Sequence, residues 1–182
     1  MALTATIYNF DIQLSDVDRG VYETLSFRAA KQPSETEEYL VTRVLAYCLE
    51  YTDGISFTKG IADPDEPGVV VKDLTGALKV WIDIGSPDAA RLHKASKASP
   101  RVVVYTHKDP QGLLRQFAGE RIHKAESIEI RAFDRELVDA IVTRLDRRTA
   151  FDLAVTERHL YVTLGGETLE GAVTAYPVSS AS

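Results

Sequence analysis

Asp73 and Asp83 are the residues best suited by type and setting to do chemistry. Asp73 closes a short run, VVVK, just ahead of the turn-forming LTG, and Asp83 interrupts the otherwise apolar VWIDIG. In an extended strand the period of two puts Trp81 and Asp83 on one face and Val80 and Ile82 on the other, so the acid stands beside a large ring near a sheet end. A carboxylate there requires a cation, a metal or backbone donors. A hard divalent ion such as Mg2+ or Mn2+ takes one or two protein carboxylates and fills its shell with water and substrate phosphate. That makes Asp73 and Asp83 a candidate metal pair for phosphodiester cleavage. Such cleavage also calls for a lysine that polarises the attacking water and offsets phosphate charge. Lys94 is the candidate, with Arg91 and Lys97 spaced at i−3 and i+3 from it as phosphate contacts; the same spacing also describes an ordinary solvated basic stripe. Upstream, Glu35 and Glu38 open a helical stretch, where either stabilises the positive end of the dipole. Glu38 sits at i−3 from Val41 and i−7 from Leu45, so it extends an apolar stripe and could supply a third acid facing the sheet.

Other chemistry-bearing residues are sparse. His93, His107, His123 and His159 show no metal-ligand spacing and read as surface or hydrogen-bonded structure. No glycine-rich phosphate loop is present, and Gly165-Gly166 reads as a hairpin turn. Asp65, Glu66 and Pro67 form a turn that could rim a cleft. The single Cys48 excludes an internal disulfide and a cysteine-based zinc site, which leaves it as a small core residue.

Charge is uneven along the chain. Residues 1–90 carry 7 Lys/Arg against 15 Asp/Glu, residues 91–148 carry 13 against 8, and the remainder carries 1 against 4, for a net charge of −6. That total argues against a globally basic nucleic-acid binder, yet the basic excess begins where the acidic segment ends, which would set carboxylates beside a positive surface. The opening MALTATIYNFDIQLSD has neither a basic leader nor a continuous apolar core. No apolar run approaches the roughly 20 residues needed to cross a bilayer, so a cytosolic protein without membrane contact is expected.

The elements that must position these residues follow from periodicity. Leu3 to Leu14 and Val21 to Ala29 alternate around SDVDRG as a β-hairpin. Ser34, with Glu37 three residues on, predicts a capped helix from about Glu35 to Tyr51, with Val41, Val44, Leu45 and Cys48 as its buried stripe. Then come three short strands: ISFTK, Val69 to Lys72, and Leu78 to Ile84. Ser86-Pro87 predicts a helix from Pro87 to about Ser99, and Val102 to Thr106 reads as a buried strand reached by a right-handed crossover. A helix at Gln111 to Ala118, a strand at Ile128 to Ala132, a helix capped by Asp134 and reaching about Arg147, and strands near 150–155, 159–164 and 168–176 complete the chain, with PVSSAS a frayed tail. At 182 residues this is one domain, 1–182, built as a mixed sheet with helices on both faces.

MALTATIY, PSETEE, FTKG, DEP and WIDIGSPDAARLHKAS together resemble the YaeQ family of bacterial proteins, over nearly the whole chain. The resemblance implies an α/β fold of variant PD-(D/E)XK type, in which a mixed central sheet flanked by helices forms a restriction-endonuclease-like core with extra β-strands at both ends. The order of helix, three-strand meander, helix and strand agrees. The resemblance further implies Asp73 as first acid, Asp83 as second, and Glu38 or Glu35 as the acid of the first helix. The usual pattern places a lysine two residues after the second acid, where this chain has Gly85; Lys94, on the adjacent helix, is the substitute. Two functions follow. One is a Mg2+- or Mn2+-dependent nuclease or related phosphodiesterase acting on DNA or RNA. The other is a non-catalytic module that retains the fold and binds nucleic acid or an acidic protein through region 91–148.

Overall fold

The computed structural model describes residues 4–58 and 65–178. In chain order the elements are β1 (Thr6–Asp16), β2 (Val21–Lys31), α1 (Glu37–Leu49), β3 (Ile55–Phe57), β4 (Val69–Lys72), β5 (Leu78–Ile84), α2 (Ala89–Ala98), β6 (Arg101–Thr106), α3 (Pro110–Phe117), β7 (Glu129–Phe133), α4 (Arg135–Val142), β8 (Arg148–Thr156), β9 (His159–Leu164) and β10 (Glu167–Pro177). The strands form one ten-stranded sheet in the order β2-β1-β8-β9-β10-β7-β6-β5-β4-β3.

The sheet is mixed. β5, β6 and β7 run parallel, joined through α2 and α3, and β1 runs parallel to β8, while the other neighbours are antiparallel. The strands added at the two ends of the sequence therefore merge into one half of the sheet, through a β1–β8 pairing that links residues about 140 positions apart.

Alternation explains the strands. Along β1 the side chains of Tyr8, Phe10, Ile12 and Leu14 are buried while Ile7, Asp11 and Gln13 are not. The helices divide between two cores. α1 and α4 pack on one face with Val69, Val71, Ile82, Val103 and Tyr105; α2 and α3 pack on the other with Trp81, Val102, Val104 and Ile130.

α1 is the centre of the larger core. Leu40, Val41, Val44, Leu45 and Cys48 are at most 2% exposed, and full burial of each large aliphatic contributes on the order of 1.5–3 kcal/mol. The two sheet edges curl toward each other around this helix. Phe27 of β2 lies 5.3 Å from Phe57 of β3, and Tyr47 of α1 packs at 4.8 Å from the first ring and 4.5 Å from the second. Those rings nearly close the sheet.

Several element ends differ from expectation. Thr36, not Ser34, caps α1, its hydroxyl accepting from the Tyr39 N–H at 3.0 Å. Asp88 rather than Ser86 caps α2. Asp134 holds the N-cap position of α4 as expected, but its side chain makes no cap bond: its carboxylate accepts the Ala172 N–H of β10 at 2.9 Å, and α4 stops at Val142, short of Arg147. Gly165-Gly166 does turn the β9–β10 hairpin, both residues having positive φ as a type I′ turn requires. Most of the GIADPDEPG turn and the end of the PVSSAS tail lie outside the described residues.

Candidate functional site at the end of β5

Asp83 is 2% exposed on the α2 side of β5, the face it shares with Trp81. Its partner is Arg91, one turn into α2, whose Nε lies 3.0 and 3.1 Å from the two carboxylate oxygens. The same guanidinium donates through Nη2 to the Glu66 carbonyl and stacks 5.7 Å from the Trp81 ring. Lys94, a turn further along α2, donates to Asp65 at 2.7 Å. Arg91 thus ties the Asp65-Glu66 turn to Asp83, and Lys94 joins the same turn to α2 through an exposed pair. Burial pushes the Asp83 carboxyl above the ordinary carboxylate value, with Arg91 opposing.

On the α1 side a second pair converges. Glu35 precedes the helix and is 4% exposed, and Arg43 is 1% exposed, with Nη2 3.2 Å from the Glu35 carboxylate and 2.7 Å from the Ala30 carbonyl. Burial raises Glu35 and lowers Arg43, so desolvation outweighs the pairing on both sides. Tyr39 links the two pairs. Its hydroxyl is pushed up to about 12, first by burial, while it feels Arg43, Glu35, Asp83 and Arg91 together, and its ring lies against Gly85.

Three expected members are placed elsewhere. Asp73 stands in the β4–β5 turn, where Lys72 pairs with Leu78. Asp83 lies five residues farther along β5, on the order of 17 Å away at about 3.3 Å per residue. The Asp73 carboxylate is spent on its own turn, accepting from the Thr75 N–H and hydroxyl and from the Ala77 N–H, with Lys79 at 3.6 Å. The reason is topological: β4 and β5 are antiparallel, so the acid able to share a site with Asp83 must precede β4 rather than follow it. Asp65 and Glu66 occupy that place. Glu38 is half-exposed and lies on the side of His107, so Glu35 is the α1-side acid near Asp83. Lys97 is exposed and has no ion pair among the described residues. It stands instead near His93, which burial first, and then Lys97, His123 and Arg121, push down.

Gly85 stands where a lysine was expected, and its backbone favours glycine. Its φ of +89° is a left-handed conformation that residues with a Cβ rarely adopt, and an added Cβ would meet the Tyr39 ring at 3.4 Å. A lysine there would be strained by the backbone itself.

The profile of the family described as YaeQ protein matches residues 1–173. The chain belongs to the YaeQ family. It is 36% identical to the uncharacterized protein YaeQ of Escherichia coli K12 and 32% identical to that of Salmonella typhi, in each case over a stretch spanning 59% of this chain and 59% of the relative. The fold matches two solved YaeQ structures at 29% identity and TM-score 0.86. The match to the Pseudomonas syringae protein covers 94% of this chain and 95% of that one; for the Xanthomonas axonopodis pv. citri protein the figures are 94% and 98%.

This YaeQ chain also holds two polar networks that periodicity hid. Glu50 ends α1, where a carboxylate meets the negative end of the dipole. Arg101, Arg131 and the Tyr105 hydroxyl, the last at 2.6 Å, offset that cost. Beside them is a cavity of about 180 Å³ lined by Arg19, Tyr105 and Arg131, none of which belongs to the Asp83 site. The second network joins Thr42 of α1 to His107 at 3.1 Å. A polar Thr42-Arg43 pair inside an apolar stripe was the available signal for α1 making buried polar contacts.

Proposed function

We propose that this chain binds the phosphate backbone of a nucleic acid across the outer face of α2, as a module that retains a nuclease-like fold. The observation that carries this reading is the unequal treatment of charge around α2. The buried acids Asp83 and Glu35 and the exposed Asp65 are each held by a cation, whereas the exposed Lys97 and Arg121, both close enough to act on His93, have no ion pair among the described residues. Uncompensated, clustered positive charge attracts a polyanion. The succession α1, β3, β4, β5, α2, β6 supports descent from a PD-(D/E)XK core, and Gly85 supports loss of its lysine.

A second reading is metal-dependent phosphodiester hydrolysis, favoured by the burial of Asp83 at a strand end beside the Asp65-Glu66 turn. Mg2+ or Mn2+ would supply charge to polarise the phosphate and its attacking water. The arrangement does not fit such an ion. Both Asp83 oxygens face Arg91, Asp65 is tied to Lys94, and no group of three candidate ligands is found among the described residues.

One experiment separates the two. Labelled single- and double-stranded DNA and RNA are titrated with the purified chain over a range of salt, with EDTA or with Mn2+. Binding that persists in EDTA, weakens with salt and loses about one unit of salt slope per removed cation in Lys97→Ala and Arg121→Ala supports the first reading. Salt-insensitive binding sinks it, and Mn2+-dependent turnover abolished in Asp83→Asn transfers the function to the second.

A further inference from the structure

His93 of α2 accepts a hydrogen bond whose direction cannot be reversed. Its Nδ1 accepts the backbone N–H of His123 at 3.0 Å, in the segment 119–124 that follows α3. A backbone N–H only donates, so Nδ1 must offer its lone pair, and the neutral ring carries its proton on Nε2. An imidazolium carries a proton on both nitrogens and would set N–H against N–H. The bond therefore exists only while His93 is neutral.

Little else fastens this segment. Among the described residues the backbone amides of 119–124 make one other hydrogen bond, from the Glu120 N–H to the Phe117 carbonyl, and it stays within the turn that leaves α3. Ile122 is buried with Leu92 and Ala95 of α2 and anchors the middle of the segment. Arg121 and His123 flank that anchor. Both act on the charge of His93, as does Lys97 one turn further along α2; partial burial first, and then these three neighbours, hold the ring below its ordinary value of 6.5. His93 thus stands where the exposed cations of the helix and of the segment come together.

We infer that His93 is the positioning residue of the α2 face: its bond to His123 holds segment 119–124 against α2 so that Lys97 and Arg121 present one surface to phosphate, and protonation of His93 releases it. The inference rests on the nucleic-acid reading of that face. Its sign runs against the usual trend. Polyanion binding ordinarily strengthens as histidines gain charge, whereas here acid detaches Arg121 from the surface. Because the folded-state value is lowered, the stability linked to the bond is complete above 6.5 and is lost as pH falls through the lowered value.

The test follows the full chain by nitrogen-15 NMR from neutral to acid pH and measures the salt dependence of its binding to labelled DNA and RNA at both ends of that titration. Expected are an Nε2–H tautomer at neutral pH and a His123 amide that shifts with the titration of His93 and exchanges faster with solvent once the ring is charged. Arg121→Ala should lower the salt slope by about one unit at neutral pH and leave it unchanged once His93 is protonated. His93→Asn puts a side-chain carbonyl in place of Nδ1 and does not titrate, so on that background the loss of one unit should persist at both pH values. On a His93→Phe background it should be absent at both. An Nδ1–H tautomer at neutral pH, or an Arg121→Ala effect equal at the two pH values in the otherwise unaltered chain, would overturn the inference. Absence of binding to every nucleic acid at low salt sinks the α2 reading and the inference together, while a His123 amide that fails to follow His93 sinks the inference alone.

Discussion

Glu35 and Arg43 show at the scale of single residues what an enclosed ion pair does. Each is raised or lowered by burial more than its partner corrects, so the pair specifies an arrangement and adds little net stability. Arg43→Met alone should cost about 3–5 kcal/mol in chemical denaturation, because Glu35 is left buried and unanswered, and Glu35→Leu with Arg43→Met should recover most of it; equal losses would count against this account. Asp83 has a pH signature. Its folded-state value lies above the ordinary 3.8, so the native state keeps the proton to higher pH than the unfolded chain does. The stability linked to it is greatest below 3.8 and declines as pH rises through the window up to the raised value. In Asp83→Asn that decline should vanish from the unfolding free energy measured against pH; an unchanged slope would mean the carboxyl is not held up by burial. Asp83 was legible in sequence because an acid inside VWIDIG has to be answered by something. Its partner was misread: the sequence shows two acids around one hairpin but not that antiparallel pairing sends Asp73 to the far end.

At the scale of elements, local signals located each helix and the first residue of α4, but missed the first residue of α1, α2 and α3. The PSETEE stretch offers Ser34, Thr36 and two downstream glutamates, and propensity cannot choose among caps. Packing chooses Thr36, because starting there leaves Glu35 outside the helix to reach Arg43. Thr36→Ala should cost about 1 kcal/mol by thermal or chemical unfolding; no loss would show that the cap bond is idle. Gly85→Ala should cost on the order of 1–2 kcal/mol from its left-handed backbone, the methyl itself meeting Tyr39 only at ordinary contact distance. Gly85→Lys should be worse, and gain of stability in either would remove the backbone reason for glycine at this position.

For the whole molecule, periodicity yielded the helix, meander, helix and strand succession but not the sheet order. Nothing local in Asn9 to Asp16 announces a parallel partner at Arg148 to Val155, because that register is set by which hydrophobic faces remain uncovered once α1 and α4 have packed. Nor did alternation reveal that the edges meet. Phe27 and Phe57 should therefore be coupled across the gap: a double-mutant cycle with alanine at both should return about 0.5–1.5 kcal/mol, and a value near zero would mean the edges are independent. The same enclosure makes Cys48 a built-in clock. It has no solvent exposure, its thiol is pushed up by burial, and it sits on the helix that the curled sheet surrounds. A thiol reagent reaches it only when α1 lifts away, so its rate of alkylation, set against that of the unfolded chain, reads out how often the sheet lets go of its central helix.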